Sequence, residues 1–261
     1  MDLGIAGRTG LVLGAGGGLG GAIAEALAGE GVNVAVADID EGAAQATASR
    51  CAAAGVSASA LEWDLADIDA VDGHVSAVES ELGPVDILVN MTGGPPPTQV
   101  SGQEPAAWRT HFEQMVLSVI ALTDRVLPEM RRRGWGRVIT STSSGVVAPI
   151  PNLGLSNALR STLVGWSKTL SREVAAEGVT CNVILPGRIA TGRIRFLDEK
   201  KAEREGRQLQ DVIDESTASI PVGRYGDPSE YGAVTAFLAS QQASFVNGSV
   251  VRVDGGMIPS I

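Results

Sequence analysis

The residues that decide the fold are Thr9-Gly10-Leu11-Val12-Leu13, followed at once by Gly14-Ala15-Gly16-Gly17-Gly18-Leu19-Gly20. The first five form an apolar run typical of a buried strand, and the glycines lead into an alanine- and leucine-rich helix pattern over Gly18–Gly29. Glycines at such a turn let the backbone approach a pyrophosphate, and the N–H groups of the helix N-terminus favour a negative charge. The stretch therefore predicts a dinucleotide site that includes Gly14, Gly18, Leu19 and Gly20.

Short apolar runs alternate with helix-length segments along the rest of the chain. Several of these runs are continuous, such as Val85-Asp86-Ile87-Leu88-Val89, which favours parallel strands covered on both faces. The alternation predicts an α/β fold: a single doubly wound Rossmann domain over residues 1–261 with a seven-stranded parallel sheet. The predicted strands are Thr9–Leu13, Val32–Ala37, Ser57–Trp63, Val85–Val89, Arg137–Ser141, Thr180–Leu185 and Ser249–Val253.

Two long helices and one charged insertion complete the predicted architecture. Pro105–Arg133 has the pattern of one long helix, and Pro128 is expected to kink or end it. Leu159–Ala176 has the pattern of an amphipathic helix. The mixed-charge stretch at about residues 191–218 is expected to be a helical insertion over the sheet, where a substrate lid would lie.

Composition excludes several classes of function. The chain has 20 Lys and Arg against 30 Asp and Glu, a net charge of −10, which repels nucleic acid and anionic membrane surfaces. No apolar stretch is long enough to span a membrane, and Met1-Asp2-Leu3-Gly4 lacks the basic start of a signal peptide. The isolated cysteines Cys51 and Cys181 suit neither a disulfide scaffold nor a metal site, so we expect reduced thiols, no metal and a cytoplasmic location.

The choice of cofactor depends on Asp38, which ends the second predicted strand 24 residues after Gly14. A carboxylate there accepts hydrogen bonds from ribose hydroxyls. No Lys or Arg lies near Ala15–Gly17 or between Asp38 and Gln45, so a 2′-phosphate would meet repulsion. The sequence therefore predicts NAD rather than NADP. The alternative is that Asp38 is only a turn residue.

Five motifs occur in an order and spacing that resemble the short-chain dehydrogenase/reductase family, in particular its 3-oxoacyl-(acyl carrier protein) reductase-like members. They are the glycines Gly14, Gly18 and Gly20, then Asp64-Leu65, Asn90-Met91-Thr92-Gly93, Pro186-Gly187-Arg188-Ile189-Ala190-Thr191 and Val253-Asp254-Gly255-Gly256. The resemblance implies that Asp64 and Leu65 contact the adenine and that the loop after the fourth strand contributes Asn90 and Gly93. It also implies that Pro186, Gly187, Ile189 and Thr191 lie by the nicotinamide.

The catalytic tetrad of that family, Asn-Ser-Tyr-Lys, is only partly matched. Its Ser falls on Ser143, its Tyr position on Ser156, its Lys position on Arg160 and its Asn position on Met115. An aliphatic hydroxyl is a far weaker acid than a phenol, and Arg160, always protonated, can hold ribose hydroxyls but cannot relay a proton. The residues that the resemblance assigns to cofactor binding are present, whereas those that it assigns to proton transfer are replaced.

One histidine is a candidate replacement for the missing base. His111 lies four residues before Met115, hence on the same helical face, and imidazole is a common general acid or base in catalysis. The alternative is a histidine used for helix packing or a subunit interface. Arg188 and Arg160 are a candidate pair for a carboxylate or thioester oxygen; the alternative is ordinary loop and helix hydrogen bonding.

The sequence is compatible with three functions. The first is an NAD-linked oxidoreductase of a hydroxyacyl or oxoacyl compound or secondary alcohol, with an atypical proton relay in which Ser143, Ser156, Arg160 and His111 are the candidate catalytic residues. The second is a non-catalytic cofactor-binding subunit paired with a complete paralogue. The third is a lyase or isomerase that keeps a bound NAD. We expect a small-molecule or acyl-thioester substrate and a homodimer, homotetramer or heteromer.

Overall fold

A single seven-stranded sheet organises the computed structural model, which describes all 261 residues. Its strand order is β3-β2-β1-β4-β5-β6-β7, and every neighbouring pair is parallel. The predicted fold class is confirmed. The strands are β1 Thr9–Leu13, β2 Asn33–Asp38, β3 Ala58–Glu62, β4 Ile87–Asn90, β5 Gly136–Ser141, β6 Val179–Pro186 and β7 Val250–Val253.

Helices connect the strands and cover both faces of the sheet. They are α1 Gly18–Gly29, α2 Glu41–Ala52, α3 Val71–Leu82, α4 Pro105–Phe112, α5 Ser118–Arg133, α6 Gly154–Val174, α7 Gly192–Glu205, α8 Leu209–Ala218 and α9 Pro228–Ala239. No helix is long and apolar enough to cross a membrane.

The alternation of side chains along the strands builds a separate core on each face. Val12, Val34 and Ile139 belong to the core that includes residues of α1 and α9. Their neighbours Leu11 and Val138 belong to the core that includes residues of α3, α5 and α6. Because β1 lies between β2 and β4, the chain runs away from β1 in both directions across the sheet. The carboxyl ends of β1 and β4 therefore form the crevice where ligands of such sheets bind.

Two helix boundaries differ from the prediction. The segment Pro105–Arg133 is not one continuous α-helix, because a π-helical turn over Glu113–Leu117 separates α4 from α5. Pro128 neither ends nor divides the helix, since α5 continues through it to Arg133. Helix α6 begins at Gly154 rather than Leu159. This start was not predicted because the cap residue, Leu153, makes no side-chain capping bond and therefore gives no signal in the sequence.

Candidate functional site

The glycine turn between β1 and α1 has the geometry that a dinucleotide requires. Gly14 and Gly18 have φ angles of 58° and 56°. A Cβ on Gly20 would lie 2.1 Å from the main-chain oxygen of Gly14, so only glycine lets the helix pack this closely on the turn. No side chain caps the N-terminus of α1. Its N–H groups are therefore available to an anion, and the turn fits a cofactor pyrophosphate.

Asp38 faces this turn from the end of β2. Its Oδ2 accepts a hydrogen bond of 2.8 Å from the main-chain N–H of Gly16, and its Oδ1 accepts one of 3.1 Å from that of Asp40. A Cβ on Gly16 would come within 2.9 Å of the Asp38 carboxyl, so glycine is needed at this contact as well. Asp38 thus makes a turn contact with Asp40 and a second contact with the glycine loop, and the two together fix its carboxylate beside that loop.

A cleft of about 450 Å³ runs from this carboxylate along the crevice. This volume is within the range of small-molecule sites. The cleft extends to the π-helical turn, and none of its 16 lining residues is Lys or Arg. Six of the lining residues were predicted from the sequence as cofactor or catalytic residues: Gly14, Asp38, Asp64, Leu65, Gly93 and His111.

The residues of the motif Asn90-Met91-Thr92-Gly93, at the end of β4, do not all lie in the cleft. Gly93 lines the cleft, but Asn90 is fully buried and does not. The Asn90 amide donates to the hydroxyl of Thr123 at 3.1 Å, which ties β4 to α5. Its side chain therefore lies among the residues that hold the sheet to α5.

The segment Pro186–Thr191 follows β6 on the other side of the crevice. The N–H of Gly187 donates to the carbonyl of Val253 at 2.8 Å, and Ile189 is buried in the core. Thr191 caps α7, because its hydroxyl accepts from the N–H of Ile194 at 3.4 Å. A Cβ on Gly18 would lie 3.7 Å from the methyl carbon of Thr191. The start of α7 therefore stands directly over the glycine turn.

Ser143 and Ser156 are the two hydroxyls of the partly matched tetrad. The Oγ of Ser143 accepts from the N–H of Gly145 at 3.1 Å. Ser156 is buried in the first turns of α6, where its hydroxyl makes no hydrogen bond to the protein. No base therefore contacts the hydroxyl that stands at the family's tyrosine position.

His111 and Met115 line the same part of the cleft, as their spacing predicts. The imidazole Nδ1 of His111 lies 3.2 Å from Oε1 of Gln114. Met115 is buried against α6 in a cluster with Leu159 and Leu163. A thioether in this position cannot hold a relay water as an amide would.

Arg160 is buried, with only 9% of the residue exposed. Its Nη2 donates to the carbonyl oxygens of Thr92 at 3.1 Å and Gly93 at 2.8 Å. Burial, followed by repulsion from Arg193, lowers the pKa of Arg160 to about 10. The guanidinium is therefore still a cation at neutral pH, placed beside the loop that lines the cleft.

The sequence indicates Arg188 with Arg160 as a candidate pair for an anion, with ordinary hydrogen bonding as the alternative. Arg188 instead forms an ion pair of 2.6 Å with Asp198 of α7, a carboxylate that is 1% exposed. The hydroxyl of Tyr225 donates to the other oxygen of Asp198 at 2.7 Å. This network anchors the charged insertion to the loops after β6 and before α9.

Sequence reasoning did not single out Arg193, whose guanidinium lies near that of Arg160 at Gly94. Arg193 lies in the first turn of α7, and its Nη2 donates to the carbonyl of Pro95 at 3.0 Å. No signal in the sequence distinguishes it from the neighbouring Arg195, which is exposed and pairs with Glu199.

Neither tyrosine of the chain stands at the site. Tyr231 is fully buried, with its oxygen 2.8 Å from the hydroxyl of Ser141 and donating to the carbonyl of Ile184 at 3.2 Å. Burial raises its pKa far above the ordinary value, so it is a poor proton donor.

No three His, Cys, Asp or Glu side chains are grouped to hold a metal ion.

Comparisons with known proteins agree with this fold. A sequence model of the family described as Enoyl-(Acyl carrier protein) reductase matches residues 14–258. The chain is 35% identical over 253 residues to 3-oxoacyl-[acyl-carrier-protein] reductase FabG of Escherichia coli (strain K12), covering 96% of this chain and 97% of that protein.

Two solved structures of similar shape were determined with nicotinamide cofactors bound. The L-sorbose reductase of Gluconobacter frateurii, complexed with NADPH and L-sorbose, superposes with a TM-score of 0.93 at 29% identity, covering 100% of both chains. An NAD⁺-bound xylitol dehydrogenase superposes with a TM-score of 0.89 at 26% identity, covering 97% of this chain and 99% of that one. Structures of this shape therefore carry either nicotinamide cofactor, and side chains must decide between them.

Proposed function

Because the chain belongs to the short-chain dehydrogenase/reductase family, we propose that it is an NAD-linked oxidoreductase whose proton relay differs from that of the family. Its substrate is a hydroxyacyl or oxoacyl compound or a secondary alcohol. The observation that carries the proposal is the cleft that joins the glycine turn and Asp38 to Met115 and His111. One end has the groups that hold a dinucleotide, and the other lacks the family's acid and base.

The preference for NAD rests on the charge around Asp38. Its carboxylate is fixed by two main-chain N–H groups and remains available to ribose hydroxyls. Asp64 adds a second carboxylate to the lining of the cleft, which contains no cation. A 2′-phosphate would therefore meet negative charge without a compensating Arg or Lys.

The remaining cofactor residues have distinct roles in this proposal. The N–H groups at the start of α1, near Gly18, Leu19 and Gly20, hold the pyrophosphate, and Asp64 and Leu65 border the adenine. Gly93, Pro186, Gly187, Ile189 and Thr191 form the walls around the nicotinamide, which accepts or donates a hydride when bound. Asn90 supports this wall from beneath through its bond to Thr123.

The proton of the substrate hydroxyl has to leave by a different route. Ser143 and Ser156 orient the substrate oxygen, and Arg160, which stays protonated, does not take the proton. A water molecule or His111 accepts the proton, since His111 is the titratable side chain that lines the cleft beside Met115. General acid–base catalysis typically raises a rate by about 10²–10⁴-fold. Without the family's acid and base, the single chain is therefore a slow catalyst on ordinary secondary alcohols.

A second candidate function is a cofactor-binding subunit whose partner carries the intact tetrad. Two observations favour it: Ser156 has no base beside it, and Phe112 and Leu117 expose apolar side chains along the α4–α5 segment. Such a face suits a subunit contact with a copy or a paralogue. The insertion of α7 and α8 is the proposed substrate lid in either case.

The experiment that tests the proposal is a calorimetric titration of the pure protein with NADH and NADPH, followed by native mass spectrometry of what co-purifies. We expect NADH to bind more tightly than NADPH. Recovery of an associated paralogue, together with no turnover by the chain alone, would favour the subunit. Failure to bind either nucleotide would contradict both functions.

A further inference from the structure

Two arginines from distant parts of the chain meet at Gly94. The point where a Cβ of Gly94 would stand lies 3.4 Å from Nη2 of Arg160 and 3.7 Å from Nη2 of Arg193. Arg160 comes from α6 and Arg193 from α7, so the pair connects the wall of the crevice to the charged insertion. Gly94 itself lines the cleft.

Neither guanidinium has a carboxylate partner. Arg160 uses only its Nη2 group, on two main-chain carbonyls, and its Nη1 and Nε make no hydrogen bond to the protein. Arg193 uses only its Nη2, on Pro95. Arg188 and Arg195, on either side of Arg193 in the sequence, both form ion pairs. The guanidinium of Arg193 also lies 5.6 Å from the centre of the Phe196 ring, a contact that does not neutralise its charge.

The two charges oppose each other in this arrangement. Burial lowers the pKa of Arg160 to about 10, and repulsion from Arg193 is the next cause. Burial also lowers the pKa of Arg193. An anion between them would relieve the repulsion and use guanidinium N–H groups that have no other acceptor, with the fork geometry that suits a carboxylate.

We propose that Arg160 and Arg193 form a clamp for a carboxylate of the substrate. This inference rests on the proposed function and narrows its substrate class to hydroxy acids or oxo acids. Arg160 lies one helical turn after Ser156, so the carboxylate sits close to the carbon that is oxidised or reduced. Because Arg193 is on α7, a bound carboxylate also draws the insertion towards the Gly93–Gly94 loop.

The competing source of negative charge is the cofactor pyrophosphate. It is expected at the start of α1, over which Thr191 stands only two residues before Arg193. The Gly94 end of the clamp, in contrast, belongs to the loop whose carbonyl oxygens accept hydrogen bonds from Arg160. The experiment therefore has to separate an effect on the substrate anion from an effect on the cofactor.

The test uses the NADH-loaded protein and two matched probes, oxamate and its neutral amide, oxamide. We expect calorimetry to show that oxamate binds at least about tenfold more tightly than oxamide, as a hydrogen-bonded charge requires. Arg193→Gln should remove this difference, and Arg193→Lys should restore part of it. Arg195→Gln is the matched control, because it removes an exposed cation from the same helix, and it should leave oxamate binding unchanged.

Equal binding of the two probes, or no binding of oxamate, would overturn the clamp. A loss of NADH affinity in Arg193→Gln as large as the loss of oxamate affinity would also overturn it, because Arg193 would then hold the pyrophosphate. A different result would contradict the proposed function, namely that the unmodified protein does not bind NADH. That result would count against the proposed function even if oxamate still bound to the chain alone.

Discussion

Replacement of Asp38 by alanine tests the proposed cofactor preference. The carboxylate is held in place by Gly16 and Asp40, so it meets the ribose without reorganising. A hydrogen bond to a charged group contributes about 1.5–3 kcal/mol, and one or two such bonds to the ribose would be lost. The Kd of NADH should therefore rise by at least about tenfold, which is the effect of losing one such bond at the lower limit.

The same change should improve the binding of NADPH relative to NADH. Two unit charges 4 Å apart repel by about 4 kcal/mol at an effective dielectric constant near 20, and Asp38→Ala removes this repulsion from the 2′-phosphate. Asp38→Arg should relax the preference further by adding a cation.

Calorimetric titration of both nucleotides into each variant is the assay. Asp40→Ala is the matched control, since Asp40 caps α2 through the N–H of Ala43 and does not line the cleft. Equal affinities of the unmodified protein for NADH and NADPH would refute the reasoning. So would an Asp38→Ala variant with an unchanged ratio of the two affinities.

Three further predictions concern assembly, stability and the proton acceptor. Light scattering at micromolar concentration should give the mass of a dimer or tetramer. The double variant Phe112→Glu with Leu117→Glu should reduce the mass of this assembly, because both exposed side chains lie on the α4–α5 segment. A monomeric unmodified protein would contradict this prediction. Asp198→Ala removes a buried carboxylate with its hydrogen bonds to Arg188 and Tyr225, and it should lower the free energy of unfolding in urea by about 3 kcal/mol. The exposed Asp69→Ala should change it little; equal effects would mean that the pair contributes nothing. His111→Ala should lower any measured turnover by at least about tenfold without changing NADH affinity if His111 is the base, and unchanged turnover would assign the proton to water.

The central strands were predictable because helices cover both faces of the sheet there. Val85–Val89 and Thr9–Leu13 are continuous apolar runs for this reason, and both predict strands that the structure contains. The π-helical turn before α5 was not predictable, because it inserts no Gly or Pro and keeps the apolar pattern of a helix. The start of α6 was missed since nothing in its first turn caps it.

The site was predictable only where the backbone sets the requirement. Gly16 and Gly20 are dictated by contacts that a larger side chain would break, and Gly14 by its φ of 58°, so sequence spacing identifies the turn. The partners of the arginines depend instead on which helix faces which loop. Arg188 and Arg193 are five residues apart, yet one meets Asp198 and the other meets Gly94, a distinction that requires the three-dimensional structure.

The central claim is that Ser156 and Arg160 have replaced the groups that make proton transfer fast in this family. The most direct test is the steady-state rate of NADH-dependent reduction of a 3-oxoacyl thioester by the unmodified chain and by the double variant Ser156→Tyr with Arg160→Lys. A double variant with Ser161→Tyr and Arg172→Lys, both exposed on the same helix, is the matched control. We predict a slow unmodified protein, an unchanged control and an increase of about 10²-fold or more in the Ser156 and Arg160 variant. An unmodified protein that turns over at an ordinary rate of about 10 s⁻¹, and keeps that rate in Ser156→Ala, would contradict the claim.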